Sequence, residues 1–238
     1  MRLALALLVL VLAGPAAAQE ITLSLGDEPT LTARTVQLLA IVTLLSLVPG
    51  LAVMVTCFPF IVTVLSILRQ AIGLQAAPPN MLIVTLALFL TWFVMDPVLT
   101  AAWTAGIEPL TEGRIDMATA FTETMGPFRV FMAARLDEGT YATLLALRPD
   151  APDVAPVEAA LSLLVPSFLL SEIARAFEIG FLIFLPFLII DLVVAAVLMS
   201  MGMMMVPPAI VSLPFKLAFF VVADGWALIS SALVRGYM

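Results

Sequence analysis

The sequence predicts an all-α integral membrane protein built from kinked helical hairpins. Three observations carry this prediction. Apolar residues make up 63% of the 238 residues and charged residues 11%, far from the balance of soluble chains. The apolar residues gather in runs long enough to cross a bilayer, which takes about 20 residues per helix. Prolines and glycines interrupt those runs where they would bend a helix without ending its apolar character.

Residues 1–18 read as a secretory signal peptide. Arg2 is the charged start, Leu3 to Ala13 the apolar stretch, Gly14-Pro15 the break, and Ala16-Ala17-Ala18 the small residues before cleavage. Cutting after Ala18 would leave Gln19 as the new N-terminus, on the far side of the inner membrane. Residues 19–105 form the N-terminal lead and first helical hairpin. Gln19 to Thr35 is polar, with a helix start expected near Thr32. Leu38 to Leu68 is an apolar run longer than one bilayer width, kinked by Pro49-Gly50 and Pro59. Arg69 to Pro79 connects it to a second run, Met81 to Ala105. Asp96-Pro97 interrupts that run, and Asp96 is a candidate cap for whatever follows.

Residues 106–160 change character. Nine acidic residues and four arginines lie between Gly106 and Glu158, too many charges for lipid. Ala120, Phe121, Met125, Phe128, Phe131 and Met132 recur at helical spacing. This predicts one or two amphipathic helices over 116–147, then a proline-rich linker over 148–156. The insert is expected on the periplasmic side, packed on neighbours. Residues 161–238 form the second hairpin. Its arms are Leu161 to Met201 and Val206 to Leu233, and its turn holds Met199, Met201, Met203, Met204 and Met205. After signal removal, hydropathy gives four spans.

Each arm carries a charge with no place in lipid, Asp191 before the turn and Lys216 after it. A hairpin folded about Met203 and Met204 puts the two almost equally far from the bend, hence at similar depth. Either charge alone costs about 2.5–3.5 kcal/mol at a bilayer centre. Pairing, within one hairpin or between copies, offsets much of that. The pair is read as a structural salt bridge, and exchanging its charges is expected to recover some function if the two touch. A proton relay would need a group titrating near neutral pH, and the chain has no histidine. Glu172, Arg175 and Glu178 are spaced as an acid-base-acid ladder on one helix flank. Asp224-Gly225-Trp226 reads as a helix break whose charge serves a neighbouring chain.

Several function classes are excluded by composition. A net charge of −7 speaks against nucleic acid, and a single lysine leaves no polybasic patch for anionic lipid. Cys57 is the only cysteine, so neither an intrachain disulfide nor a cysteine metal site can form, and it is read as a small buried hydrophobe. Without histidine there is no triad and no HExxH zinc site. Asp191 and Asp224 are the one candidate aspartic dyad. Lys216 would keep both ionised, whereas a dyad shares a proton. No catalytic residue, metal or cofactor is expected. The methionine turn has three readings: gap filling, a thioether copper site, or a soft seal made where several copies meet.

The second hairpin closely resembles the FliP family of flagellar export-gate proteins and its virulence-system relatives, the SctR family. The resemblance rests on Pro166-Ser-Phe168, Ser171-Glu172, Ala176-Phe177, Ile179-Gly180-Phe181, Phe184 to Met205, Pro207-Pro208, Leu213-Pro-Phe-Lys216 and Asp224-Gly-Trp226. It is strong from Pro166 to Leu228, weaker from Leu38 to Trp103, and negligible in the insert between. It implies a core channel subunit of a type III protein export gate that passes unfolded flagellar protein substrates across the inner membrane. It implies helical or pseudo-ring assembly of about five copies with FliQ-like and FliR-like membrane subunits and other export apparatus proteins. Met203, Met204 and Met205 would form the pore seal. The chain would be a multi-pass inner-membrane protein at the flagellar basal body, in contact with membrane lipid. Much of its apolar sequence would be packed in protein. Burial physics agrees, because Asp191, Lys216 and Asp224 would together cost on the order of 9 kcal/mol if each faced lipid alone. The signal peptide and long insert favour the flagellar branch over the virulence homologue. An alternative of another class is a small-solute or ion transporter using Asp191 and Lys216 as its coupled pair.

Overall fold

The computed structural model describes residues 31–74, 78–148, 152, 154–203 and 205–238. The signal segment and its cleavage site at Ala18 and Gln19 lie outside the described residues, as does Met204. Among the described residues every regular element is helical. The chain divides into two compact units, residues 1–46 and 47–238. Of the first, only the helical segment from Leu31 is described; it belongs to α1, Leu31–Met54.

The second unit is organised around α2, Phe58–Ile72. The long apolar run expected from Leu38 to Leu68 is divided at Val55-Thr56-Cys57. Thr56 Oγ1 accepts the Phe58 backbone N–H at 3.3 Å, and Pro59 falls in the first turn, where no donor is needed. Phe60, Ile61, Val64, Leu65, Leu68, Ala71 and Ile72 are buried at spacings of one, three and four. Such spacing covers a wide stripe of the helix, so α2 is enclosed by its neighbours. Gly73 ends it in the left-handed region at φ 89°, a conformation glycine adopts without strain.

α3, Asn80–Ala102, runs straight through Asp96-Pro97, so Asp96 caps nothing. Val94 and Met95 are buried there, and this packing holds the helix across the donor that Pro97 lacks. After Ala102 the chain passes through a π-helical turn over Trp103–Ile107 into the short α4, Glu108–Thr111. Gly106 permits that turn to press against the next helix. A Cβ there would lie 2.6 Å from the Ala120 carbonyl oxygen.

Two helices lie within the polar insert, and of the residues read as their apolar face Ala120 and Met132 are buried whereas Phe121 is exposed. α5, Met117–Arg135, and α6, Glu138–Ala146, are capped by Asp116 and Asp137. Asp116 accepts the Thr119 N–H at 3.3 Å and Asp137 the Thr140 N–H at 2.7 Å. These hydrogen bonds favour the ionised carboxylates and lower both pKa values below the usual aspartate range. Their support is therefore present above that range and fades as pH falls through the lowered values. Met132, Leu164 and Phe168 bury α5 against the helix that begins at Leu161, and Tyr141, Ala159 and Leu163 do the same for α6.

α7, Leu161–Ser200, is a single helix of 40 residues, about 60 Å long. α8, Pro208–Val222, and α9, Gly225–Arg235, replace the single fourth span expected from hydropathy. They meet at a 61° bend. Among the described residues three helices are long and apolar enough to cross a membrane, or four if the bent pair counts as one span. The main core joins α2 to Ile83, Ala87 and Met95 of α3, Ala176 and Phe187 of α7, Phe220 of α8 and Leu233 of α9.

The bend depends on Gly225. A Cβ there would sit 2.2 Å from the Phe220 ring, which packs edge-on to Trp226 at 5.3 Å. Gly225→Ala is expected to force that ring aside at a cost of about 1–3 kcal/mol. Gly126, inside α5 with open space around it, is the contrast. Gly126→Ala should be neutral or stabilising by up to about 1 kcal/mol. Thermal unfolding of the two variants in detergent checks this. Equal midpoints would remove the packing explanation of the bend.

Candidate functional site

Two buried ionic centres and one apolar tip stand out. The first centre forms where α7 and α8 pass the end of α2. Asp191 lies nine residues before the end of α7, about 14 Å along the axis. Lys216 lies eight residues into α8, about 12 Å along it. Lys216 Nζ is 2.6 Å from Asp191 Oδ2, within one chain. Ser212 Oγ donates to Asp191 Oδ1 at 2.5 Å. Lys216 Nζ also donates to the Ala71 carbonyl at 3.1 Å. That carbonyl belongs to the last turn of α2, where carbonyls lack intrahelical partners and the helix dipole is negative. One ammonium group thus ties three helices together. It is the buried member, with a side chain 7% exposed, whereas Asp191 is 32% exposed and reaches the chain's surface.

The second centre surrounds Glu172 of α7, which is fully buried. Arg135 Nε, from the end of α5, is 3.3 Å from Glu172 Oε1, and Arg175 Nη1 is 3.8 Å from the same oxygen. The Tyr237 hydroxyl donates to Glu172 Oε2. Burial, reinforced by the Glu172 charge, pushes the Tyr237 phenol well above its ordinary range, so it remains a donor. Arg135 also stacks its guanidinium over the Tyr237 ring, 4.0 Å from the centroid, and donates to the Gly236 carbonyl at 2.5 Å. The centre fastens residues 236–237 and the end of α5 to the first third of α7.

The tip is the turn between α7 and α8. Met203 N–H bonds to the Leu198 carbonyl at 2.9 Å and Gly202 N–H to the Met199 carbonyl at 3.1 Å. With Gly202 at φ 74°, this is the Schellman arrangement, which needs a left-handed residue at that position. Pro207 and Pro208 then start α8 without wasting a donor. Met199, Met201, Met203 and Met205 all reach outward, and Met205 is 96% exposed. Their own chain offers these side chains little cover.

The structure brings together Asp191 with Lys216, and Glu172 with Arg175. It does not complete the ladder. Glu178 is exposed and makes no ion pair among the described residues. Two steps of three residues drift about 120° around a helix, which carries Glu178 away from the buried face. Asp224 sits at the bend in the left-handed region, φ 47°, with an exposed side chain and no ion pair among the described residues. Cys57 is fully buried at the start of α2. No group of three or more acidic or cysteine side chains able to hold a metal occurs among the described residues. Four participants escaped the sequence reading: Ser212, the Ala71 carbonyl, Arg135 and Tyr237. Only Ser212 left a signal, one helical turn before Lys216 and hence on its face.

Relatives match this chain along most of its length. One, from Caulobacter vibrioides and named flagellar biosynthetic protein FliP, is 47% identical over 226 residues, covering 94% of this chain and 85% of its own length. Namesakes from Agrobacterium fabrum and Bacillus subtilis are 42% and 41% identical, covering 96% and 89% of this chain and 96% of their own lengths. The FliP family profile matches residues 41–233, from within α1 into α9, taking in Asp191, Lys216, Glu172, Arg135 and Arg175 but not Gly236 or Tyr237, and the chain belongs to the FliP family.

Proposed function

We propose that this chain is a wall-and-seal subunit of the flagellar protein export gate in the bacterial inner membrane. Its family membership and the flagellar names of its relatives support a place in the flagellar export apparatus. The observation that carries the finer reading is the methionine tip. An apolar, unbranched, exposed cluster at the end of a hairpin finds cover when several copies bring their tips to one axis. There the side chains would close the passage to ions yet yield to an unfolded flagellar subunit threading through. The 40-residue α7 fits this role. It is about twice the thickness of a bilayer core of roughly 30 Å, so much of it must be enclosed by protein. The enclosing partners are about five copies of the chain itself with FliQ-like and FliR-like subunits. Membrane lipid surrounds the assembly, and the chain supplies no chemistry of its own.

Replacing Met203, Met204 and Met205 together by alanine is expected to leave the complex assembled but leaky. Single-channel conductance of the purified complex should rise, while export of flagellar subunits continues. Unchanged conductance in an assembled triple variant would remove the seal. Bound copper that disappears with the methionines would favour a thioether site instead.

A further inference from the structure

α7 carries an outward stripe that its own chain leaves bare. Leu170, Phe177, Phe181, Leu182, Ile189 and Val193 stand on it, all exposed. From Leu170 to Val193 the stripe runs 23 residues, about 35 Å, and Glu178 is its one charge. A hydrocarbon core of roughly 30 Å laid anywhere along that length encloses Glu178. Hydrocarbon tolerates a lone carboxylate poorly, so lipid is a costly cover for this face. The chain itself offers no answering charge. Arg175, one turn earlier, already pairs with Glu172 at 3.8 Å, and its charge also acts on the Asp137 carboxylate.

An unanswered cation lies on α9. Among the described residues from 47 to 238, every other Lys or Arg holds an ion pair or a side-chain hydrogen bond, and Arg235 holds neither. Arg235 shares the outward face of α9 with Leu228 and Ser231, at spacings of three and four. Arg135 bonds both Glu172 and the Gly236 carbonyl, so Arg235 stands near the level of Glu172. Glu178 lies six residues further along α7, about 9 Å, close enough for two long side chains to meet between copies held at one level.

We propose that the outward stripe of α7 docks the outward face of α9 from a second copy of this chain, with Glu178 of one copy paired to Arg235 of the next. Ser231, between Leu228 and Arg235, lets the two helices approach closely, and Phe177 and Phe181 supply the apolar contact. The contact is head-to-tail, so it repeats from copy to copy. Two other exposed carboxylates fit Arg235 less well. Asp96 shares its face of α3 with exposed Thr100 and Thr104, polar company that Glu178 lacks. Asp224 lies 11 residues from Arg235, about 16 Å away at the other end of α9, and copies at one level keep them apart. The inference rests on the reading that several copies share one assembly.

The test uses the full chain, co-expressed with its partners in two tagged forms. One form carries Glu178→Cys and the other Arg235→Cys, while Cys57 is fully buried and stays in place. A short bifunctional thiol reagent is expected to join one tag to the other at twice the mass of a chain. A single chain carrying both cysteines should give a ladder of multimers. Glu178→Arg or Arg235→Glu alone should lower the assembled fraction, read by native mass spectrometry, at least about tenfold, and the two together should restore it. Both side chains are exposed, so circular dichroism should show wild-type helix content throughout. Crosslinking within one chain, an Asp96→Cys to Arg235→Cys product in its place, or assembly indifferent to charge reversal overturns the proposal. So does crosslinking of Glu178→Cys to a different subunit alone, which assigns the stripe to that protein. A wild-type chain that stays single beside its partners would remove the several-copy reading and this contact with it, whereas multimers without the crosslink remove the contact alone.

Discussion

Lys216→Met is expected to abolish flagellar export and to prevent recovery of the folded complex, although methionine fills nearly the same volume. The change leaves the Asp191 carboxylate without its cation and the Ala71 carbonyl without its donor. Removing one partner of a buried pair costs about 3–5 kcal/mol. Asp191→Ala should be more damaging still, because it strands the more deeply buried member, the ammonium group. A double-mutant cycle on folded yield in detergent should show the pair strongly coupled, with the double variant far better than the sum of the singles. Export retained by either single variant would remove the structural role. The exchange Asp191→Lys with Lys216→Asp, expected from sequence to recover function, should now restore little. It would aim a carboxylate at the Ala71 carbonyl and the negative end of the α2 dipole. Two charges that touch are interchangeable only when neither has a third partner.

Glu172→Gln should destabilise the protein about as strongly, by about 3–5 kcal/mol. The variant keeps the shape of the side chain but leaves Arg135, 17% exposed, facing Arg175 with no charge between them. A loss of that size is a large share of the 5–15 kcal/mol typical of a folded domain. Arg135→Gln should cost less, since it leaves the Glu172 carboxylate with Arg175 and Tyr237. Arg175→Gln should cost least, because its pair is long and partly solvated. Thermal unfolding of the three variants in detergent reads this order. Wild-type stability in Glu172→Gln would show that the centre holds nothing together.

The helices were legible because their signals are local. Asp116 and Asp137 mark the starts of α5 and α6 by side chains that bond three residues ahead. Gly202 marks the end of α7 by its left-handed backbone, and the apolar runs mark what must be buried. The bends were less legible. Pro97 reads as a break yet lies inside α3, because packing of Val94 and Met95 outweighs one missing donor. Asp224-Gly225 reads correctly as a break, but the 61° angle comes from the Phe220 ring filling the space a Cβ would take.

By itself the sequence determined that this chain is helical, that it is too apolar for water, and that Asp191 and Lys216 must be answered. Helix periodicity and the cost of burying charge are set by composition and spacing, which are written along the chain. Only the tertiary structure decided who answers them. Arg135 and Tyr237 reach Glu172 from 37 and 65 residues away, and Lys216 reaches a backbone carbonyl 145 residues distant. Every residue has such a carbonyl, so nothing in the sequence distinguishes the one at Ala71. Its role follows from where α2 ends beside α8, and that is fixed by the packing of whole helices against one another.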